Sequence, residues 1–328
     1  MAYNLDAVLA STHARIEKKF QDNLIAKNAM FMKFAEKDGR SLIDGGKELT
    51  FPVILGNGNA GSYYGDDNLI VSRPAGLQPL TFSWKQFYST LVIDGLEEVM
   101  NSGPEAQADL IEGRMTQGET TTANAFETML GGDGTGNDSK DFNGLQNLVA
   151  DDPTTGTIGG LSRVTYPQIR NKVDSTAVGA FNTTNAGRNL MTSLFVACTN
   201  GGRRPNFVVT TAAIWVLYQL SLTSNERFVM SGADKKLTSA GFLNIAFMGD
   251  APVVFSDGIA ASHMYMLRIA KPKSDGGIFL TFNKDRNFKL GKWIEPVDQD
   301  KRVAKVLTAG QLCTDAPYLQ GVATAITG

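Results

Sequence analysis

The side chains that most often do chemistry are scarce and scattered here: among 328 residues there are two His, His13 and His263, and two Cys, Cys198 and Cys313. Zinc needs three or four such ligands at short spacings, and no cluster of that kind can be written. The two Cys are expected to be buried free thiols in a reducing compartment. A Ser-His-Asp relay would have to run through one of the two His, and their neighbours Ser11, Thr12 and Ser262 form no nucleophile motif; no G-x-S-x-G exists. Gly56-Asn57-Gly58-Asn59-Ala60-Gly61 does satisfy G-x-G-x-x-G after an apolar run. That fingerprint binds a pyrophosphate only where its glycines open a helix, and Ser62-Tyr63-Tyr64-Gly65-Asp66-Asp67 has no helical period. A loop tip is expected there. Gly131 to Asp138 alternates glycine with oxygen side chains, as a calcium loop does, without the closing bidentate Glu. Glu97-Glu98 and Asp151-Asp152 read as exposed cap or turn acids. No catalytic group, cofactor or metal site is therefore expected.

Charge carries more information. The chain has 31 basic and 33 acidic side chains, a net charge of -2 and 42% hydrophobic residues. That is a globular composition without the basic stripe of a protein that grips nucleic acid. Locally the balance is uneven. Asp94 to Asp133 holds nine acids against Arg114 alone, whereas Lys284 to Lys305 holds seven bases against four acids. Such runs are usually solvated faces; the alternative is complementarity between copies, which steers association and sets register. No basic-then-apolar leader and no run near 18 apolar residues is present, so the expectation is a protein made in a cytoplasm that stays soluble unless it assembles.

The elements that must position these residues are of two kinds. Leu5, Val8, Leu9, Ile16, Phe20 and Leu24 recur at three- and four-residue steps and predict an amphipathic helix within residues 5–34, its polar face carrying Arg15, Glu17, Lys18, Lys19 and Lys27. Thr50 to Leu55 reads as an edge strand because Pro52 cannot donate to a ladder. Leu80 to Ile93 reads as one long strand whose buried parity changes at Gln86-Phe87, by a bulge or by passing from one environment into a second. Residues 50–93 would then form a two-stranded excursion, which is marginal alone in water. Gly103-Pro104-Glu105 opens a helix reaching Leu130, with Pro and acids in its first turn and only a thin apolar stripe, so it reads as a strut. Compact grammar follows: helices at 190–198 and 212–220 and strands at 206–210, 251–255 and 264–267, together an α+β domain. A hairpin is expected between Lys292-Trp293-Ile294 and Arg302 to Leu307, turning at Asp298-Gln299-Asp300.

This order of parts, with Leu49-Thr50-Phe51-Pro52-Val53, Phe142-Asn143-Gly144-Leu145-Gln146-Asn147-Leu148-Val149, Asp152-Pro153 through Gly160, Thr165-Tyr166-Pro167, Gly201 through Thr210 and Ala251-Pro252-Val253-Val254-Phe255, resembles the major capsid proteins of tailed double-stranded DNA bacteriophages over nearly the whole chain. The resemblance implies the α+β Hong Kong 97-type fold: an N-terminal arm at 1–45, an extended β-loop at 46–95, a peripheral domain with the spine helix at 96–141, an axial domain at 142–280, and the peripheral hairpin with a C-terminal strand at 281–328. It implies a non-enzymatic shell protein that forms hexamers and pentamers of an icosahedral virion. Assembly in the host bacterial cytoplasm would involve a portal, a separate scaffolding protein, a cement protein and packaged DNA bound without sequence specificity. Some members close their shells with an isopeptide bond from an extended-loop Lys; no Lys lies between Lys47 and Lys85, so non-covalent cohesion is expected.

Contacts between copies are assigned to Arg15 and Phe20 of the arm, Tyr63, Tyr64, Asp66 and Asp67 of the extended loop, Asp109, Glu112 and Glu119 of the spine, and Arg286, Lys289, Lys301 and Arg302 of the tail. An encapsulin-like compartment of the same fold is the first alternative. A soluble enzyme using the 56–61 glycines is the second.

Overall fold

The computed structural model describes residues 28–72, 76–100, 104–176, 181, 186–222, 245–247, 251–272 and 276–327, with the side chains of 104–109 and 245–247 left aside. Most of the predicted arm helix falls outside this range; its described end is helix α1, Ala29–Ala35, which buries Met30 and Phe34 one turn apart. The chain continues through β1 (Arg40–Ile43), β2 (Leu49–Ile54), β3 (Leu77–Phe82), β4 (Lys85–Asp94), α2 (Gly95–Met100) and the spine helix α3 (Pro104–Gly131). After short strands β5 (Thr157–Ile158) and β6 (Leu161–Ser162) come β7 (Lys172–Asp174), α4 (Ala186–Ala197), β8 (Phe207–Thr210) and α5 (Ala212–Ser221). The rest is β9 (Ile245–Phe247), β10 (Ala251–Phe255), β11 (Met264–Leu267), β12 (Ile278–Asn283), β13 (Lys289–Leu290), β14 (Lys301–Thr314) and β15 (Gly321–Ala323).

Strands β2 and β3 form an antiparallel ribbon in which Leu49 faces Phe82 and Pro52 faces Pro79. Each strand of such a ribbon has a free edge, so two prolines without N–H groups are tolerated. The edge strand expected over Thr50 to Leu55 is β2, in which Leu49, Phe51 and Val53 are buried and Thr50, Pro52 and Ile54 point out. The base of the ribbon is anchored in the main core: the Phe51 and Phe279 rings pack edge to face at 5.1 Å, and Thr81 N–H donates to Gly159 O at 2.9 Å.

The expected single strand over 80–93 is two strands. The buried parity does change, from Leu80 and Phe82 to Ser89, Leu91 and Ile93. The break falls at Ser83-Trp84 rather than at Gln86-Phe87, where the Trp84 indole donates to Gly46 O at 2.9 Å. Beyond it, β4 leaves the ribbon and pairs residue for residue with β14, from Lys85 opposite Gly310 to Asp94 opposite Lys301. The physical reason is the length of β14. Its C-terminal part is covered by β12, and the remaining turns of ladder would present unpaired backbone groups without β4. With β1 parallel to β12 and the two-residue β13 on β14, these strands make a five-stranded peripheral sheet.

The predicted tail hairpin is present and reaches further back: Ile294 and Val303 exchange two backbone hydrogen bonds at 2.9 Å, and Lys289 and Leu290 extend the pairing to Leu307 and Val306.

The spine helix has 28 residues, about 42 Å. Its threonine hydroxyls are satisfied by carbonyls four residues back: Thr116 donates to Glu112, Thr121 to Gln117 and Thr122 to Gly118 at 2.7–3.0 Å. Its C-terminal third is core, with Phe126 and Leu130 fully buried, so the strut expectation describes the N-terminal part alone.

The axial sheet runs β7-β15-β11-β8-β10-β9. Strands β8 and β11 are buried on both faces, as expected for a sheet covered twice. Val208, Val253 and Met266 meet α4 and α5 in one core cluster, whereas Val209, Val254 and Tyr265 join the core shared with the spine and peripheral sheet. Strand β15 lies between β7 and β11, so the last strand returns to the axial sheet instead of staying with the hairpin.

Candidate assembly surfaces

Beyond its anchored base the ribbon stands free. Leu55 N–H donates to Gly76 O at 2.7 Å, and the backbones of Gly56 and Gly76 approach so closely that a Cβ on Gly76 would sit 3.0 Å from Gly56 O. Between these glycines every described residue is exposed. The tip is ordered by polar clips: the Asn59 amide donates to Ile70 O and Ser72 O at 3.1 and 2.6 Å, and Asp67 accepts from Tyr64 N–H at 2.9 Å. Those clips turn apolar side chains outward. Tyr64 is 88% and Val71 92% exposed, with Tyr63, Leu69 and Ile70 beside them. Exposed large apolar side chains concentrated on one loop suit an interaction surface. No helix follows Gly61, so the glycine run there lacks the helix N-terminus that nucleotide binding requires.

The charged residues are partly engaged within the chain. Glu97 and Glu98, expected as exposed acids, are half-buried and paired. Arg114 of the spine donates to both Glu97 oxygens at 3.0 and 3.2 Å, and Arg302 donates to Glu98 at 2.6 Å and Glu295 at 3.1 Å. Together they clamp α2 between the spine and β14. Arg286 donates to Gln86 at 3.1 Å. Glu112 and Glu119 point outward from the spine, and Lys289 is exposed on β13 while Lys301 is half-exposed at the start of β14. Arg15 and Phe20 lie outside the described residues, as does the side chain of Asp109.

Glu127, one of the nine acids between Asp94 and Asp133, is the junction of three parts. It is 3% exposed. One carboxylate oxygen accepts from Phe31 N–H at 2.7 Å, the other from Met30 N–H at 3.2 Å and from the Ser256 hydroxyl at 2.5 Å. It therefore caps the first turn of α1 from the side of the spine and ties both to the loop after β10. Burial raises its pKa to about 7, against the lowering effect of those three hydrogen bonds, and Asp257 nearby adds to the rise. Gly131 and Gly258 seal the same junction: a Cβ on Gly258 would meet Glu127 O at 2.5 Å. The signal in the sequence was weak but present, since Glu127 sits beside Phe126 and one turn from Leu130, on the apolar stripe.

The other candidate groups resolve as structure. Asp133 accepts from the Thr135 N–H and hydroxyl at 2.9 and 2.7 Å, which holds its pKa below the usual range and makes the calcium-like stretch a capped loop. His263 meets Asp151 at 2.9 Å across the axial domain. Cys198 and Cys313 are buried free thiols; burial raises Cys198 to about 12 and lifts Cys313 as well. Among the described residues no three His, Cys, Asp or Glu side chains could hold a metal ion together, and no helix is long and apolar enough to cross a membrane.

No family model matches the sequence, and no curated protein matches it. Solved structures do. The capsid asymmetric unit of cyanophage A-1(L) is 16% identical, covers 95% of this chain and 96% of its own, and superposes with a TM-score of 0.68. The capsid of a native GTA particle is 11% identical with 98% and 99% covered and a TM-score of 0.62. The holo-SrpI encapsulin complex of Synechococcus elongatus PCC 7942 is 10% identical with 97% and 95% covered and a TM-score of 0.57. The chain has the α+β Hong Kong 97-type fold, from the end of the arm to the last strand.

Proposed function

We propose that this chain is the major capsid protein of a tailed double-stranded DNA bacteriophage, a shell subunit whose chemistry is contact between copies. It forms hexamers and pentamers and closes an icosahedral head. The ribbon tip carries the reading: Tyr63, Tyr64 and Leu69 to Val71 are held outward by internal clips, and among the described residues nothing on the same chain covers them. A neighbouring subunit supplies the missing surface. Near-neutral charge suits a container filled by a motor, because a strongly basic wall would bind DNA and resist dense loading. A portal, a separate scaffolding protein and a cement protein are the further partners of this reading, with assembly in the bacterial cytoplasm.

The glycine neck supplies a clean test. Deleting residues 57–75 joins Gly56 to Gly76, which already touch, and leaves Leu55-Gly56-Gly76 as a three-residue loop between the paired Ile54 and Leu77, a length common in hairpins. The shortened subunit is expected to fold and to sediment as unassembled protein. Closed shells of normal size from this variant would refute the role given to the ribbon. The encapsulin in the comparison supports a second reading, a protein-filled compartment of the same fold. Purified particles separate the two, since packaged DNA supports the phage shell and protein cargo supports the compartment.

A further inference from the structure

Three Asn-Gly pairs occur in the chain: Asn57-Gly58, Asn143-Gly144 and Asn200-Gly201. An asparagine is thermolabile, most of all before glycine, where no side chain hinders the following backbone nitrogen from reaching the carboxamide. Folding decides which of the three keeps that freedom. Gly144 is buried, and a Cβ on it would sit 2.1 Å from Gly132 O; the Asn143 N–H donates to Gln311 Oε1 at 2.7 Å. Asn200 exchanges both of its backbone hydrogen bonds with Arg203, at 2.9 and 3.1 Å, across a turn in which Gly201 has a φ of +61°. Bringing the Gly201 nitrogen onto the Asn200 side chain would break that turn.

Asn57 and Gly58 lie just outside the glycine neck of the ribbon, and both are exposed. Among the described residues neither makes a hydrogen bond. A Cβ added to Gly58 would meet no atom within 4 Å, and its φ lies outside the left-handed region. The next asparagine is different. The Asn59 amide is clipped to Ile70 O and Ser72 O, and Ala60 follows it.

We propose that Asn57-Gly58 is a self-modification site of the unassembled subunit, at which Asn57 becomes aspartate or isoaspartate through a cyclic imide. The Gly58 N–H gives its proton to solvent base, and its nitrogen bonds to the Asn57 side-chain carbonyl carbon. The bond from that carbon to the amide nitrogen breaks, and ammonia leaves with a proton taken from water. Water then opens the imide at either carbonyl, which leaves one new carboxylate. The tip already carries Asp66 and Asp67, so the change deepens its negative charge. Isoaspartate also adds a methylene to the main chain two residues from the Leu55 N–H bond to Gly76 O. That aged subunits assemble less well rests on the shell reading above; the modification itself does not.

The test is incubation of the full-length subunit in mildly alkaline heavy-oxygen water, followed by digestion and mass spectrometry. Asn57 is expected to take up one heavy oxygen several-fold faster than Asn143 and Asn200, with fragmentation placing the label at Asn57 rather than Asn59. Gly58→Ala should slow the uptake several-fold with unchanged circular dichroism, since its methyl enters open space. Equal rates at the three pairs, or an undiminished rate in Gly58→Ala, would overturn the proposal. Sedimentation scores assembly separately. Fresh subunits that label at Asn57 but never form shells remove the shell reading alone; labelled subunits that assemble as well as fresh ones remove the consequence for assembly alone.

Discussion

Glu127→Gln isolates one buried ionisation at the meeting point of arm, spine and axial sheet. Glutamine keeps the size and the carbonyl acceptor for the Phe31 N–H, and its amide can donate to Ser256, at the loss of the Met30 N–H bond to that same position at either pH. The wild-type carboxyl has a folded pKa of about 7 against an ordinary 4.5. An acid whose pKa rises on folding binds its proton more tightly in the native state. Stability is therefore greatest below pH 4.5, is lost progressively as pH rises through 7, and is level above it. The full penalty of the ionised form is about 3 kcal/mol from that shift. At pH 5 it amounts to about 1 kcal/mol and at pH 8 to nearly the whole, so the swing between them is about 2 kcal/mol. Denaturant unfolding of the unassembled subunit at both pH values reads it: wild type should lose about 2 kcal/mol more than Glu127→Gln on going to pH 8. Equal pH dependence in the two proteins would refute the assignment of a buried, nearly neutral carboxyl to this junction. Glu127→Ala should destabilise at both pH values, because two α1 amides and the Ser256 hydroxyl lose their acceptor.

Reversing Glu112 and Glu119 together with Asp109 to Lys should lower particle yield while leaving the circular dichroism of the subunit unchanged; an unaltered sedimentation profile would remove the spine from the assembly contacts. Gly131→Ala places a Cβ against the Gly258 carbonyl and should cost about 1–3 kcal/mol by overpacking, measured by the same unfolding assay. Cys198, whose thiol is raised to about 12 by burial, should resist alkylation in the folded subunit at pH 8 and react fully in denaturant; rapid labelling of the native protein would contradict its burial.

Local physics made much of the fold legible. The proline and acids at the start of the spine and the glycines at its end bounded a helix within a residue of that seen, because caps act over single turns. Pro52 marked an edge strand over 50–55, and the apolar runs at 206–210, 251–255 and 264–267 announced strands, since burial on both faces leaves a continuous apolar run. The outward ribbon residues Tyr63, Tyr64, Asp66 and Asp67 were also visible, as a glycine-rich stretch without helical period. What was misread depended on partners distant in sequence. The strand break at Ser83-Trp84 and the attachment of β4 to β14 follow from which ladder needed covering.

The residue types and periods of this chain determine that it is an α+β protein with a two-stranded excursion over 50–93 and few reactive groups. Only the tertiary structure decides which acids are solvated and which are spent inside: Glu97 and Glu98 pair with Arg114 and Arg302, and Glu127 is buried as a cap. A charge carries no mark of its burial in sequence, because the desolvation that shifts it and the partner that satisfies it are both supplied by packing across more than a hundred positions.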